Sequence, residues 1–139
     1  IDDYAHHPTE IEAVFETVRL RAPRRLRVVF QPHRYSRTYR LLDRFGEVLA
    51  KADEVILTEV YAAHELPISG ATSVDLAQAV EKHGNVSVSL AKTLDEAVEI
   101  VTRDARSGDV VVTLGAGSIG MLPPRITEVL HTRCVGSSI

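Results

Sequence analysis

The sequence predicts an α/β fold: a doubly wound, mostly parallel sheet with helices on both faces. Three observations carry that expectation. Short, branched apolar runs alternate about five times with amphipathic stretches, an order that parallel crossovers accommodate best. The runs at 26–30, 55–57 and 109–114 are apolar enough to be strands buried on both faces. A chain of 139 residues, 45% hydrophobic and 25% charged, has the size and balance of one globular domain with a sizeable core.

Ile1-Asp2-Asp3 reads as the tail of a strand whose earlier residues are missing. Pro8 suits the first turn of a helix, and Ile11, Val14, Phe15 and Val18 recur at helical spacing over 8–21, which Pro23 closes. Leu26, Val28, Val29 and Phe30 form the next strand. One helix is expected over roughly 37–51, with Leu41, Phe45, Val48 and Leu49 on one face. A strand at 55–57 leads into a loop at 61–72 that contains Pro67 and Gly70. A helix over 73–83 stops at His83-Gly84-Asn85. Val86, Val88 and Leu90 alternate with Ser87 and Ser89, the pattern of a half-exposed strand. Thr93 and Glu96 form a capping box ahead of the stripe Leu94, Ala97, Val98 and Val101. The strand at 109–114 runs into Gly115-Ala116-Gly117-Ser118-Ile119-Gly120. A last helix spans about 121–131, and the tail from Thr132 is expected to fray.

Several function classes are disfavoured at once. A net charge of −3 argues against a dedicated nucleic-acid binder, and no apolar run reaches the roughly 18 residues of a membrane helix. One cysteine, Cys134, leaves no internal disulfide and fits a reducing cytosol. The chain opens without Met, and Met121 is its only methionine, so a piece of a longer protein is expected.

In sheets of this class, ligands sit outside the carboxyl ends of the strands. The unusual segments 2–7, 31–37, 59–70 and 115–120 all fall there. Gly115-x-Gly117-x-x-Gly120 lies between a strand and a helix, as a dinucleotide fingerprint must, but no second strand with its acidic residue follows. A turn that offers backbone N–H groups to an anion, or a tight turn without a ligand, remains. Asp2, Asp3, His6 and His7 have the residue types of a metal site. Adjacent side chains diverge, however, and no second cluster supplies ligands, so no metal is expected and a hydrogen-bonding cluster at a strand end takes precedence. Nine basic residues lie between Arg19 and Arg44 with a single acid, Asp43. Arg19, Arg21, Arg24, Arg25 and Arg27 read as a solvated face. Arg34 and Arg37 follow a buried strand at the ligand edge, where two guanidinium groups suit capture of a carboxylate or phosphate. No phosphate loop, nucleophile elbow or Cys-His pair is present, so the edge has no catalytic machinery of its own.

The string Asp2-Asp3-Tyr4-Ala5-His6-His7-Pro8-Thr9-Glu10 resembles a signature of the Mur ligases. Gln31-Pro32-His33-Arg34-Tyr35-Ser36-Arg37-Thr38 is a second match, Asp53-Glu54-Val55 with Val60-Tyr61 a weaker third, and 115–120 a fourth. The resemblance covers nearly the whole chain but only the C-terminal third of such an enzyme. It departs from the family at His64, where a small residue is expected. It implies a Rossmann-like C-terminal domain, residues 1–139, of a three-domain ATP-dependent ligase. A separate N-terminal domain would bind the UDP sugar, and a central domain would hold ATP and Mg²⁺ and contact this one. The implied reaction adds L-alanine to UDP-N-acetylmuramate through an acyl phosphate, in the cytoplasm, and this piece alone would be inactive. Asp3 and Tyr4 would face the nucleotide; His6, Arg34, Arg37 and Ser118 would line the amino-acid side. A relative that ligates a recycled peptide to the same sugar, or a stand-alone Rossmann-like binding module, are the alternatives.

Overall fold

The computed structural model describes residues 1–137. Five strands, all parallel, form one sheet: β1 (Asp2–Asp3), β2 (Leu26–Phe30), β3 (Glu54–Leu57), β4 (Ser87–Leu90) and β5 (Val110–Leu114), in the order β1-β5-β2-β3-β4. The helices are α1 (Pro8–Arg19), α2 (Tyr35–Arg40), α3 (Leu42–Leu49), α4 (Ser73–His83), α5 (Leu94–Thr102) and α6 (Leu122–Ser137), with a 3₁₀ turn at Ser118–Met121 ahead of the last. The expected doubly wound sheet is therefore present.

Topology decides which face each helix covers. From β1 to β4 the chain steps in one direction across the sheet, and right-handed crossovers put α1, α3 and α4 on the same face. Ile11, Phe15 and Val18 of α1, Phe45 and Leu49 of α3 and Leu76 and Val80 of α4 pack there against Val28, Phe30, Val55 and Leu57. The return from β4 to β5 reverses direction, so α5 and then α6 cover the other face, with Val98, Val101, Leu122 and Ile126 over Val29 and Ile56. The chain leaves β2 toward one face and β5 toward the other. These neighbours form a switch point, and the crevice beyond their carboxyl ends is where such sheets bind ligands.

Local chemistry sets the helix boundaries. His7 caps α1: its Nδ1 accepts from Thr9 N–H at 3.2 Å, and Glu10 Oε1 accepts from the His7 N–H at 3.1 Å. Thr72 and Asp75 make the same reciprocal box for α4. At α5, Thr93 accepts from Glu96 N–H at 3.1 Å, but the Glu96 carboxylate reaches back to Lys92 N–H at 3.1 Å rather than to Thr93. The single helix expected over 37–51 is two, because Leu41 at φ −112°, ψ 17° breaks the helical path between α2 and α3. Gly46 lets α3 touch α4, since a Cβ there would lie 2.5 Å from the Ala79 carbonyl oxygen. Frayed structure from Thr132 is also corrected: α6 continues to Ser137, and Ser138 and Ile139 lie outside the described residues.

The solvated basic face holds in part: Arg19, Arg21 and Arg24 are exposed and Arg25 is half-buried, but Arg27 is not on it. Arg27 occupies a central-strand position facing α5 and is fully buried. Its Nε donates to Glu54 Oε2 at 2.6 Å and its Nη2 to Asp104 Oδ1 at 2.8 Å, while Nη1 is buried without a partner. Arg24 Nε lies 2.9 Å from Asp109 Oδ1, and Arg25 Nη2 donates to Asp109 Oδ2 at 3.0 Å, with the Asp109 side chain only 2% exposed. Arg19 donates to the Lys51 carbonyl at 2.9 Å and to Asp53 at 3.3 Å. Arg21 stays exposed. Buried charge is tolerable at Arg27 because two carboxylates and a carbonyl surround it; losing one partner would leave an unpaired charge in the interior.

Candidate functional site at the carboxyl edge of the sheet

The segments that follow β1, β2, β3 and β5 meet at one edge, and each residue's place there follows from its strand. Beyond β1, Asp3 Oδ1 accepts from Ala5 N–H at 2.9 Å, which turns the chain toward α1 and spends one carboxylate oxygen locally. Asp2 is held by Thr113, whose hydroxyl donates to Oδ1 at 2.9 Å. Tyr4 is 69% exposed, and its ring meets His6 edge-on with centroids 5.4 Å apart. His6 Nδ1 lies 3.0 Å from the Tyr4 carbonyl, which can only accept. Nδ1 therefore carries a proton, which makes the ring, when neutral, the Nδ1–H tautomer with its lone pair on Nε2.

Beyond β2, Arg34 adopts φ 72° and its N–H donates to the Tyr61 carbonyl at 2.8 Å, tying the β2 and β3 loops together. Arg34 is exposed and Arg37 half-buried. Arg37 Nη1 donates to His33 Nδ1 at 3.2 Å and to the His33 carbonyl at 3.3 Å. Arginine has no acceptor, so His33 must be neutral with its proton on Nε2, the opposite tautomer to His6. The two imidazoles lie 6.1 Å apart, and Tyr61 stacks on His33 at 5.4 Å and 12°. Partial burial, then the charges of Arg37, Arg34 and His6, push the His33 pKa below its ordinary value. Glu65 accepts from the Ser36 N–H and hydroxyl, which together hold its carboxyl below the ordinary range. Ala63 and His64 both have positive φ, at 50° and 72°, a conformation that glycine adopts without a Cβ penalty.

Beyond β5, Gln31 bridges to the glycine-rich turn. Its Oε1 accepts from Ile119 N–H at 3.0 Å and its Nε2 donates to Ser118 Oγ at 3.0 Å. Gly117 permits this closeness, since a Cβ would lie 2.7 Å from both Gln31 Oε1 and Tyr61 Cγ. Part of the set of N–H donors that this turn could offer an anion is already taken. Ile119 N–H goes to Gln31, and Gly120 N–H goes to the Gly117 carbonyl at 3.3 Å.

Thus His6, Arg37 and Ser118 stand at one edge with Asp3, Tyr4 and the more exposed Arg34 around them. Four residues given no role by the sequence reading, Gln31, His33, Tyr61 and Glu65, organise that edge. The first three stand inside the matched motif strings, Gln31 and His33 in the second and Tyr61 in the third; nothing in the sequence marks Glu65. Among the described residues, no three His, Cys, Asp or Glu side chains converge as metal ligands would.

The family model described as "Mur ligase, glutamate ligase domain" matches residues 1–117. The chain belongs to this Mur ligase family. It is 45% identical over 136 residues to the UDP-N-acetylmuramate–L-alanine ligase of Methylococcus capsulatus, covering 97% of this chain and 29% of that protein. It is 51% identical over 127 residues to the enzyme of the same name from Halorhodospira halophila, covering 91% and 26%. The chain thus spans less than a third of the length of the curated relatives it matches. Among solved structures, the UDP-N-acetylmuramate–alanine ligase of Thermotoga maritima superposes with a TM-score of 0.75 at 26% identity, over 96% of this chain and 26% of that one. A murein peptide ligase from Psychrobacter arcticus shares the fold at a TM-score of 0.69 and 21% identity, over 92% and 26%. The Mur ligase motifs at 2–10 and 31–38 are the segments that build the edge described above.

Proposed function

We propose that this Mur ligase chain is the C-terminal domain of a three-domain ligase that joins L-alanine to UDP-N-acetylmuramate at the expense of ATP, in peptidoglycan synthesis. The observation that carries it is the edge itself: two arginines, two imidazoles and a serine hydroxyl, without any group able to drive phosphoryl transfer. In this reading ATP and Mg²⁺ belong to a central domain outside the chain, where the sugar's carboxylate becomes an acyl phosphate. The amine of alanine attacks the acyl carbon, and phosphate leaves as the amide forms. This domain supplies position and charge: Arg37, held by His33, and the freer Arg34 pair with the alanine carboxylate, His6 and Ser118 complete that pocket, and Asp3 and Tyr4 meet the nucleotide. Tyr4, Tyr61, Leu66 and Met121 are exposed by 40–84% near the ends of the site segments, apolar surface suited to closing against the central domain. No helix among the described residues is long and apolar enough to cross a membrane.

The test is kinetic, in the full-length ligase. Truncating Arg34 or Arg37 to Ala leaves a desolvated carboxylate unpaired, at about 2–5 kcal/mol. That is about 30- to 4,000-fold in kcat/KM for alanine, with far smaller effects on ATP or the sugar nucleotide. Arg→Lys restores only part, because one ammonium cannot reproduce the guanidinium fork. Arg40→Ala, exposed on the same helix, is the near-neutral control. If Arg37→Ala weakens only ATP or sugar-nucleotide binding, the amino-acid assignment is wrong.

A further inference from the structure

The bonds around Gln31 fix a direction that the residue list does not. Gln31 is 5% exposed, so its amide must be satisfied by protein. Ile119 N–H is a donor and nothing else, so the atom 3.0 Å from it is the amide oxygen. The amide nitrogen is then the atom 3.0 Å from Ser118 Oγ, and it can only donate. Ser118 therefore receives a hydrogen bond from inside the protein, and its own hydroxyl proton is left to be given away from Gln31. Gly117 and the Tyr61 ring close the space on the adjoining side, where even a Cβ would meet both Tyr61 and Gln31. The half-buried Ser118 lies at the β2–β5 switch point, the crevice where this class of sheet takes its ligands.

We infer that Gln31 is a positioning residue that holds Ser118 as a hydrogen-bond donor, so that the ligand group seated over the 115–120 turn is a hydrogen-bond acceptor, on the ligase reading a carboxylate or phosphoryl oxygen. This rests on the ligase reading above and deepens it. The bond from Gln31 takes one of the two lone pairs on Ser118 Oγ and turns the hydroxyl proton away from the amide, which favours acceptors and lowers the ordering cost when the ligand arrives. The same amide ties Ile119 N–H, so the inward bond and the outward polarity are one device.

A double-mutant cycle in the full-length ligase tests the polarity. In the native background, Ser118→Ala removes one hydrogen bond to a charged oxygen and should lower kcat/KM by roughly 10- to 100-fold for the substrate carrying that oxygen. Gln31→Glu still accepts from Ile119 N–H but cannot donate to Ser118, whose hydroxyl must then turn inward to the carboxylate. In that background Ser118→Ala should cost no more than about 2-fold, whatever Gln31→Glu costs alone. The loss falling on alanine identifies a carboxylate, and on ATP or the acyl-phosphate half-reaction a phosphoryl oxygen. Equal cost of Ser118→Ala in both backgrounds, or no cost in the native one, overturns the inference. A native enzyme that fails to ligate alanine sinks the ligase reading instead, a separate result. Should Gln31→Glu not fold, NMR of the 139-residue chain with Ser118→Ala decides. The Gln31 side-chain amide protons should shift while the Ile119 N–H stays bonded; unmoved Gln31 protons overturn the inference.

Discussion

Asp109 sits at the foot of β5, at the end of the sheet opposite the site, and stability there should have a specific pH signature. Burial raises its carboxyl pKa, but hydrogen bonds from Arg25, the Arg106 N–H and Arg24 outweigh that and hold it at about 2. The bonds are close: Arg106 N–H and Arg24 Nη2 each donate to Oδ2 at 3.0 Å. A carboxylate whose pKa falls from an ordinary 3.8 to about 2 on folding contributes about 2 kcal/mol at neutral pH. Because the folded value is the lower one, that contribution is whole above about pH 4 and is lost as the pH falls toward 2. Asp109→Asn keeps the shape and deletes the charge. Urea unfolding of the 139-residue chain at pH 6 should show the variant about 2 kcal/mol less stable, or roughly 6–10 °C lower in Tm for a domain of this size. Repeated at pH 3 and below, the gap between the two proteins should narrow. A gap that stays constant from pH 6 to pH 2.5 would refute the ionic account and leave only lost shape or packing.

At the site, His33 should titrate below its ordinary value, and Arg37 should follow it. The neutral ring accepts from Arg37, so that bond is intact above about pH 6.5 and is lost as the pH falls through the lower folded pKa. Histidine and arginine side-chain NMR should give one shared midpoint, and an Arg37 signal indifferent to His33 protonation would count against the pairing. His64→Gly should stabilise the chain by about 0.5–1 kcal/mol in urea unfolding, because glycine adopts the φ of 72° without a Cβ penalty. No gain would mean that the loop relaxes around His64.

Periodicity exposed most of the fold because helix and strand burial is local. Ile11, Phe15 and Val18 mark the face of α1 by their spacing alone, and all three are buried. The break at Leu41 left no such trace, since Leu41, Phe45 and Val48 keep helical spacing across it. The arginines misled for the opposite reason. Within 19–44 they have one acidic neighbour, yet Arg24 and Arg25 pair with Asp109 and Arg27 with Asp104, more than seventy residues away along the chain. A basic run says how much positive charge must be accommodated. Only the parallel ladder, which aligns Arg27 with Glu54 and with Val111, says where it goes.

The same distinction runs through the site. Residue types with obvious chemistry, His6, Arg34, Arg37 and Ser118, could be picked out because they stand at the carboxyl ends of recognisable strands. Their states could not, because each is set by a hydrogen-bond partner that the residue type alone does not name. His6 is a Nδ1–H tautomer through the Tyr4 carbonyl, His33 the reverse through Arg37, and Ser118 an acceptor through Gln31. The first two partners are local, two and four residues away; the third is not. Gln31, an uncharged residue with no catalytic chemistry of its own, spans 87 positions to reach Ser118, so its role exists only once β2 and β5 are neighbours. The fold thus acts on the chemistry through hydrogen-bond direction. By pairing these two strands at a switch point, it fills one lone pair of a serine that could either give or receive and turns its proton away from Gln31.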